Sequence, residues 1–186
     1  MTKIIAGAWK GRTLRVPESV TRPTASRVRE AMFSSLEHHI GRFDGLKVLD
    51  LYAGSGGLGF ESLSRGAVSV VLVDSDRKAV EAMKSNSIGL AGDIQIRKFN
   101  VGTFVAMPSA GQTFDVVFLD PPYSVVDAVI EEQLLALATN GWLAPGATLV
   151  VERDKKSVVS WPEGFEGTEP RPYGDTMVWY GTWSGN

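Results

Sequence analysis

Apolar runs alternate with amphipathic stretches along most of the chain. Five short apolar runs have the composition of buried strands: Val48–Leu51, Val68–Val73, Ile94–Phe99, Phe114–Leu119 and Ala147–Glu152. The segments between these runs repeat apolar side chains at helical spacing, which predicts helices over residues 57–65, 76–90 and 125–139. Strands that alternate with helices are typical of a parallel sheet with helices on both faces.

Both ends of the chain depart from this alternation. Residues 3–16 carry short apolar stretches around two glycines, which predicts a small β-hairpin or an extended arm. Helical spacing then begins at Thr24, with Thr24 or Ser26 as the expected N-cap, and it puts one apolar stripe on Val28, Ala31, Met32, Leu36 and Ile40. Near the other end, residues 164–183 hold Gly174 and the β-rich run Thr176–Trp183, which predicts a closing antiparallel pair.

The length and composition suit one α/β domain with a short extension. At 186 residues, with 44% hydrophobic residues, we expect an N-terminal arm over residues 1–23 and one domain over residues 24–186.

No apolar run is long enough for a membrane span, and the N-terminus lacks the core of a signal peptide. Because cysteine is absent, disulfides, zinc–thiolate sites and a cysteine nucleophile are excluded, which agrees with a cytoplasmic protein. The two histidines, His38 and His39, are adjacent and do not suggest a metal site or a catalytic triad.

Charge is distributed unevenly along the chain. Residues 1–29 hold seven basic side chains and one acidic one, a net charge of +6, while the remaining residues hold 12 basic and 20 acidic ones, a net charge of −8. A basic arm on an acidic body suggests that the arm meets a polyanion, although a solvated charged terminus would have the same composition.

A glycine loop follows the first apolar run. Gly54, Gly56 and Gly59 spell G-x-G-x-x-G between a strand and a helix, a pattern that lets the backbone turn sharply and approach a nucleotide-type ligand. Asp74 lies 18 residues beyond Gly56, at the end of the next strand, where its carboxylate can accept hydrogen bonds from the hydroxyls of a ribose.

The glycine pattern alone also fits a nicotinamide or flavin site, or a tight turn without a ligand. Asp50 favours a different cofactor, because a carboxylate just before the loop would repel a pyrophosphate but would attract the cationic amino group of S-adenosylmethionine. The helix N-terminus that would bind a pyrophosphate is not needed for a sulfonium nucleoside. Nucleotide-type cofactor binding is therefore the favoured interpretation.

The fourth apolar run ends in Asp120-Pro121-Pro122-Tyr123. Ligands of open parallel sheets bind beyond the carboxyl ends of the strands where the strand order reverses, so this motif and the glycine loop should face one crevice. A conjugated amine is a poor nucleophile because its lone pair is delocalised. Oxygens of Asp120 and Pro121 could accept its two hydrogens and direct the lone pair at a methyl donor, while Tyr123 stacks on the base. Taken alone, the motif could also be a Pro-Pro turn beside a core tyrosine.

These motifs resemble those of the class I S-adenosylmethionine-dependent methyltransferases, and the whole chain is similar to the RsmD-type 16S ribosomal RNA guanine-N2 methyltransferases. The similarity includes the segments Ile5–Arg12, Arg22–Glu30, Asp50–Glu61, Asp120–Tyr123 and Tyr173–Thr176. It implies a Rossmann-like, seven-stranded, mostly parallel sheet with an antiparallel last strand, preceded by a short hairpin and helix. The implied reaction moves a methyl group from S-adenosylmethionine to the N2 amine of a guanine in 16S ribosomal RNA, as naked RNA or within a 30S subunit or assembly intermediate. No metal or membrane is expected as a partner.

The resemblance also implies the residues of the site. The guanine amine would be received by Asp120, Pro121, Pro122 and Tyr123. The cofactor would be bound by Asp50, Tyr52, Gly54, Ser55, Gly56, Gly59, Asp74, Ser75, Asn100, Val101 and Asp120, with Asn100 and Val101 beside the adenine.

The basic arm gains a role from this resemblance, since its side chains could neutralise RNA phosphates. The candidate RNA-binding residues are Lys10, Arg12, Arg15, Arg22, Thr24 and Arg27. We interpret Asn86, His38 and His39 as helix-surface residues, and we interpret three tryptophans as packing residues: Trp142, Trp161 and Trp179.

Three alternatives are open at this point. Adenine-N6 and protein-glutamine methyltransferases also use an Asp/Asn-Pro-Pro-aromatic motif, but they usually carry an added recognition domain, and only about 45 residues precede Val48 here. A nicotinamide-dependent oxidoreductase would explain the glycines but not Asp120–Tyr123. A non-catalytic RNA-binding protein would have no need for the geometry of that motif.

Overall fold

The computed structural model describes residues 2–17 and 26–185, and its elements follow the predicted order. The helices are α1 (Ser26–Ile40), α2 (Gly57–Ser64), α3 (Arg77–Ser87), α4 (Val101–Ala106) and α5 (Asp127–Thr139). The strands are β1 (Thr2–Lys3), β2 (Thr13–Leu14), β3 (Lys47–Leu51), β4 (Ser69–Asp74), β5 (Asp93–Lys98), β6 (Phe114–Leu119), β7 (Leu143–Asp154), β8 (Phe165–Gly167), β9 (Arg171–Tyr173) and β10 (Thr176–Trp183). The helix α4 was not predicted, because six residues are too few for a helical period to stand out. Among the helices described, none is long and apolar enough to cross a bilayer.

The main sheet has the strand order β5-β4-β3-β6-β7-β10-β8, and β9 pairs separately with β10. The five neighbouring strands β5, β4, β3, β6 and β7 run parallel to one another. The strand β10 runs antiparallel to its two neighbours, β7 and β8. This arrangement confirms the expected Rossmann-like, mostly parallel sheet with an antiparallel last strand. The sheet has eight strands in place of the expected seven, because two short strands, β8 and β9, pair with different parts of β10. The strand order reverses between β3 and β6, so the carboxyl ends of these two strands flank the crevice.

The central strands are buried on both faces, which is why their sequences are unbroken apolar runs. Successive side chains point to opposite faces. On one face, here named the α1 face, a core cluster is shared with α1, α2 and α3 and includes Val48, Val70, Val116 and Val150. On the other, the α5 face, the cluster is shared with α4 and α5 and includes Leu49, Val71, Val117 and Leu149. The three tryptophans interpreted as packing residues lie in or against the α5-face cluster, which confirms that interpretation.

The first 16 described residues pack on the domain. The strands β1 and β2 pair as an antiparallel hairpin, as predicted, and Ile4 and Leu14 are buried in the α1-face cluster. The buried carboxylate of Glu61 in α2 accepts hydrogen bonds from the backbone N–H groups of Ile5 and Ala6, at 2.7 and 3.0 Å. The hairpin is therefore held by a side chain of the glycine-loop helix. The expected boundary between residues 23 and 24 lies outside the described residues.

The interpretation of Asn86 as a helix-surface residue was wrong. Its side chain, in α3, is 5% exposed. It accepts a hydrogen bond from the Arg15 N–H and donates to the backbone oxygens of Arg15 and Ser55, at 2.8, 2.9 and 3.0 Å. Asn86 follows the buried Met83 by three residues, so it lies on the face of α3 that is turned toward the domain. There it links the N-terminal segment to the glycine loop. His38 and His39 are exposed, as predicted.

Candidate active site

A cavity of about 660 Å³ opens at the carboxyl ends of β3, β4, β6 and β7. Its size is that of a small-molecule or cofactor site. The site residues expected from the sequence that line it are Asp50, Tyr52, Gly54, Ser55, Asp74, Ser75, Asn100, Asp120, Pro121, Pro122 and Tyr123. The glycine loop and the Asp120–Tyr123 segment therefore face a single cavity, as their positions at neighbouring strand ends predict.

Three of the expected cofactor-binding residues, Gly56, Gly59 and Val101, are buried outside the lining of this cavity. Gly56 has φ 79°, a left-handed conformation that begins α2, and a Cβ there would overlap the ring of Phe60. A Cβ on Gly59 would overlap Leu72 of β4. These glycines therefore shape the turn and let α2 lie close to the sheet.

Asp50 is the most deeply buried carboxyl group in the cavity lining, with 1% of its surface exposed. One of its oxygens accepts a hydrogen bond from the Gly59 N–H at 2.9 Å. Burial raises the pKa of Asp50 to about 7, against the lowering effect of that N–H, and the nearby charge of Asp74 raises it further. A cation that entered the cavity beside Asp50 would favour the ionised form of this carboxyl.

Two other polar side chains on the same side of the cavity are held by backbone groups. The carboxylate of Asp74 accepts hydrogen bonds from the N–H groups of Gly54 and Asp76, both at 2.8 Å. Asn100 caps α4, since its side-chain oxygen accepts from the Thr103 N–H at 3.2 Å. Both orientations are therefore set by the local backbone, and the Asn100 amide keeps its NH₂ group for donation to a ligand.

The loop after β6 carries the other half of the site. Pro121 is buried, Pro122 is exposed, and Tyr123 lies at the rim with 49% of its surface exposed. The far end of the loop is anchored by Arg153, which donates to the carbonyl oxygen of Val125 at 2.6 Å and to Asp127 at 3.0 Å. Because Arg153 is itself buried in β7, the loop is fixed at both ends.

Sequence reasoning missed two buried charged residues in the cavity lining, Arg29 and Glu152. Arg29 is 3% exposed and donates to the Thr2 hydroxyl at 2.8 Å and to the Lys3 carbonyl. A signal was present, because the buried face of α1 consists of Arg29, Met32, Phe33 and Leu36, at helical spacing. The predicted stripe had instead included Val28 and Ala31, which are only half-buried.

Glu152 is 7% exposed and lines the same cavity from β7. Its signal was a charged residue that ends an apolar run at the carboxyl end of a predicted strand. The turn between β9 and β10, at Tyr173–Thr176, completes the lining beside it.

The candidate RNA-binding residues occupy different environments. Lys10, Arg15 and Arg27 are exposed. Arg12 is half-buried and donates to the carbonyl oxygens of Asn86, at 3.3 Å, and Ile88, at the end of α3. This contact satisfies carbonyls that the end of a helix leaves open, so Arg12 has a structural role. A second cavity, of about 410 Å³, lies between residues 12–16 and α3. Arg22 and Thr24 lie outside the described residues.

The described part of the chain contains no group of three or more histidine, aspartate or glutamate side chains arranged to hold a metal ion. The polar lining of the main cavity includes carboxylates, one guanidinium, hydroxyl groups and the Asn100 amide.

Comparison with known proteins gives consistent results. A model of the family described as Conserved hypothetical protein 95 matches residues 2–182. The ribosomal RNA small subunit methyltransferase D of Haemophilus influenzae is 38% identical over 88% of this chain and 84% of its own length. The Escherichia coli protein of that name is 39% identical over 82% of this chain and 74% of its own length. A solved Escherichia coli structure described as a candidate methyltransferase has a TM-score of 0.85 and 30% identity, covering 99% of this chain and 98% of that one.

Proposed function

Since the chain belongs to the Conserved hypothetical protein 95 family, which includes the small-subunit ribosomal RNA methyltransferases D, we propose that it methylates the N2 amine of a guanine in 16S ribosomal RNA, with S-adenosylmethionine as the donor. The observation that carries the proposal is one cavity with two chemically different halves. Asp50 and Asp74 supply the half suited to a cationic nucleoside, and Asp120–Tyr123 supply the half suited to an amine. The proposed place of action is the cytoplasm.

The charged groups of the cavity fit the donor. Asp50 would bind the ammonium group of its methionyl part, and the guanidinium of Arg29 would bind the carboxylate of the same part. Asp74 would accept hydrogen bonds from the ribose hydroxyls, and Asn100 would donate to the adenine edge. These four residues come from β3, α1, the end of β4 and the start of α4, so the bound ligand would tie the two faces of the sheet together.

The bound donor supplies an electrophilic methyl group on a sulfonium. Asp120 and the carbonyl oxygen of Pro121 would each accept one hydrogen of the guanine amine, which turns the nitrogen lone pair toward that methyl group. Tyr123, at the rim, would stack on the base. The amine nitrogen becomes acidic as the new bond forms, so Asp120 need not be a strong base. Alignment of the two reactants, an effect worth up to about 7–11 kcal/mol in favourable systems, would provide most of the rate enhancement.

The N-terminal arm, residues 1–23, would bind RNA together with the start of the methyltransferase domain, residues 24–186. Lys10 and Arg15 of the arm and Arg27 of α1 are exposed and can reach phosphates. Arg12 would contribute mainly by holding residues 12–16 on α3.

Incubation with labelled S-adenosylmethionine and 30S particles or 16S RNA from cells that lack the protein, followed by nucleoside analysis, tests the proposal. We expect label in N2-methylguanosine. Label in N6-methyladenosine, or tight binding of NADH in place of S-adenosyl ligands, would refute it in favour of an alternative.

The variant Asp120→Ala tests the division of the cavity. It should bind S-adenosylhomocysteine as the wild type does but transfer methyl groups at least 100-fold more slowly, since removal of one preorganised polar partner costs about 10²–10³ in kcat. Asp120→Asn keeps one acceptor oxygen and should retain more activity, and Glu131→Ala, on the exposed surface of α5, is the control. An equal loss of ligand binding and methyl transfer in Asp120→Ala would contradict the assigned role.

A further inference from the structure

Two acidic residues, Asp120 and Glu152, line the cavity from neighbouring strands. Leu119 of β6 and Val151 of β7 are partners in the parallel register, so Asp120, which follows β6, and Glu152 of β7 occupy adjacent positions. Adjacent strands are about 4.8 Å apart.

The side chain of Glu152 belongs to the α1 face of the sheet. Its partner in β10 is Val178, which is buried in the α1-face cluster, and paired residues point to the same face. Val150, two residues before Glu152, lies in that cluster as well. Asp50, on β3, lies on this face, since its carboxylate reaches the N–H of Gly59 in α2. Leu119 lies in the α5-face cluster, so the next residue, Asp120, belongs to the α1 face as well. Glu152 and Asp120 therefore line the same side of the cavity, where Asp120 would hold an amine.

The groups beside an exocyclic amine differ among the bases. In guanine, the N2 amine is next to N1–H, a donor. In adenine and cytosine, the amine is next to a ring nitrogen that carries no hydrogen and is an acceptor. A carboxylate beside the amine site can accept a hydrogen bond from guanine N1–H, whereas it would face a lone pair of adenine or cytosine.

We propose that Glu152 selects guanine, by accepting the N1–H of the base while Asp120 and Pro121 hold the N2 amine. This inference rests on the proposed function. A carboxylate has about four acceptor positions, so contacts of Glu152 within the protein leave room for the base. Because Glu152 is 7% exposed, the hydrogen bond forms in a site that excludes most water. In such a site, a base without an N1–H leaves the carboxylate without that hydrogen bond, and water does not replace it.

The first test changes the substrate. The methylated guanosine, once mapped, is replaced by 2-aminopurine in a 16S RNA assembled by ligation. This base keeps the 2-amine, but its N1 carries no hydrogen. The wild-type protein should methylate it with kcat/KM about 100-fold lower than guanosine, in the range expected for a lost specific base contact. Equal kcat/KM values of the wild-type protein for the two RNAs would by themselves overturn the proposal.

The second test changes the protein. In Glu152→Gln, the amide can donate to N1 of 2-aminopurine, so the preference for guanosine should fall from about 100-fold to less than about 5-fold. Glu166→Gln, exposed on β8, should keep the wild-type preference. A Glu152→Gln protein that binds S-adenosylhomocysteine normally but keeps the full preference, or that loses activity equally on both RNAs, would show a structural role and refute selection by Glu152. If the wild-type protein labels no guanine N2 at all, the proposed function fails and this inference fails with it. Labelling of N2 with an unchanged preference refutes this inference alone.

Discussion

The proposed pairing of Asp50 with the ammonium group of the methyl donor predicts that the affinity for the donor depends on pH. In the ligand-free protein the pKa of this buried carboxyl is raised to about 7, from an ordinary value of 3.8. The proposed ammonium partner requires the ionised carboxylate. Binding below pH 7 must therefore release a proton from Asp50, and about nine-tenths of a proton per ligand is expected at pH 6.

The magnitude follows from the ionised fraction of Asp50. This fraction is about one half at pH 7 and about one hundredth at pH 5, so affinity should fall about 50-fold between these values, or about 2 kcal/mol. The range above pH 7 is less informative, because most of the Asp50 carboxyl is already ionised there.

Isothermal titration with S-adenosylhomocysteine measures both quantities. Affinities are determined at pH 5, 6 and 7, and proton release is obtained at pH 6 from the enthalpies in two buffers of different ionisation enthalpy. The variant Asp50→Asn keeps the size of the side chain and should bind more weakly at pH 7, with little dependence on pH. Wild-type affinity that changes less than about 3-fold across this range, without proton release, would refute the pairing of Asp50 with the ammonium group.

Three further outcomes are expected. Because the unfolded chain releases the Asp50 proton near pH 4 while the folded protein holds it to about pH 7, wild-type stability should fall as pH rises through this window. Asp50→Asn should remove up to about 4 kcal/mol of that fall, as measured by urea unfolding, and an unchanged pH profile would contradict this. Asn86→Leu loses three hydrogen bonds and should lower the free energy of unfolding by about 2–4 kcal/mol. Ser85→Ala, at an exposed position of the same helix, should change the free energy of unfolding by less than about 0.5 kcal/mol. Similar values for the two variants would contradict a stabilising role of the Asn86 hydrogen bonds. Lys10→Ala and Arg15→Ala should each reduce the slope of log affinity for RNA against log salt by about 1, and an unchanged slope would reject phosphate contacts by these residues.

Local features of the sequence were sufficient to predict most of the fold. The strand β6 has the predicted bounds, Phe114–Leu119, and β10 has the predicted bounds, Thr176–Trp183. Both were predictable because period and length are properties of one segment. The helix α4 has six residues and was missed for the same reason, since it is shorter than two turns.

The two facing segments of the site were also predictable, because glycines and prolines constrain the backbone on their own. The conformation of Gly56 and the rigid pair Pro121-Pro122 need no distant partner. They follow β3 and β6, and ligands of open parallel sheets bind beyond the carboxyl ends of the strands where the strand order reverses. This rule was sufficient to predict that the two segments face one cavity.

The tertiary structure decided where the buried polar residues around these segments find their partners. Arg29 becomes part of the cavity because Thr2 and the Lys3 carbonyl satisfy its guanidinium, 27 and 26 residues away in sequence. The buried side chain of Asn86 is satisfied by backbone groups of Arg15 and Ser55, 71 and 31 residues away. Glu152 becomes a neighbour of Asp120 because β7 pairs with β6, whereas its sequence marks it only as the end of an apolar run. A buried polar group is stable only where its partners are supplied, and for these residues the partners come from segments that meet when the sheet and the N-terminal hairpin assemble.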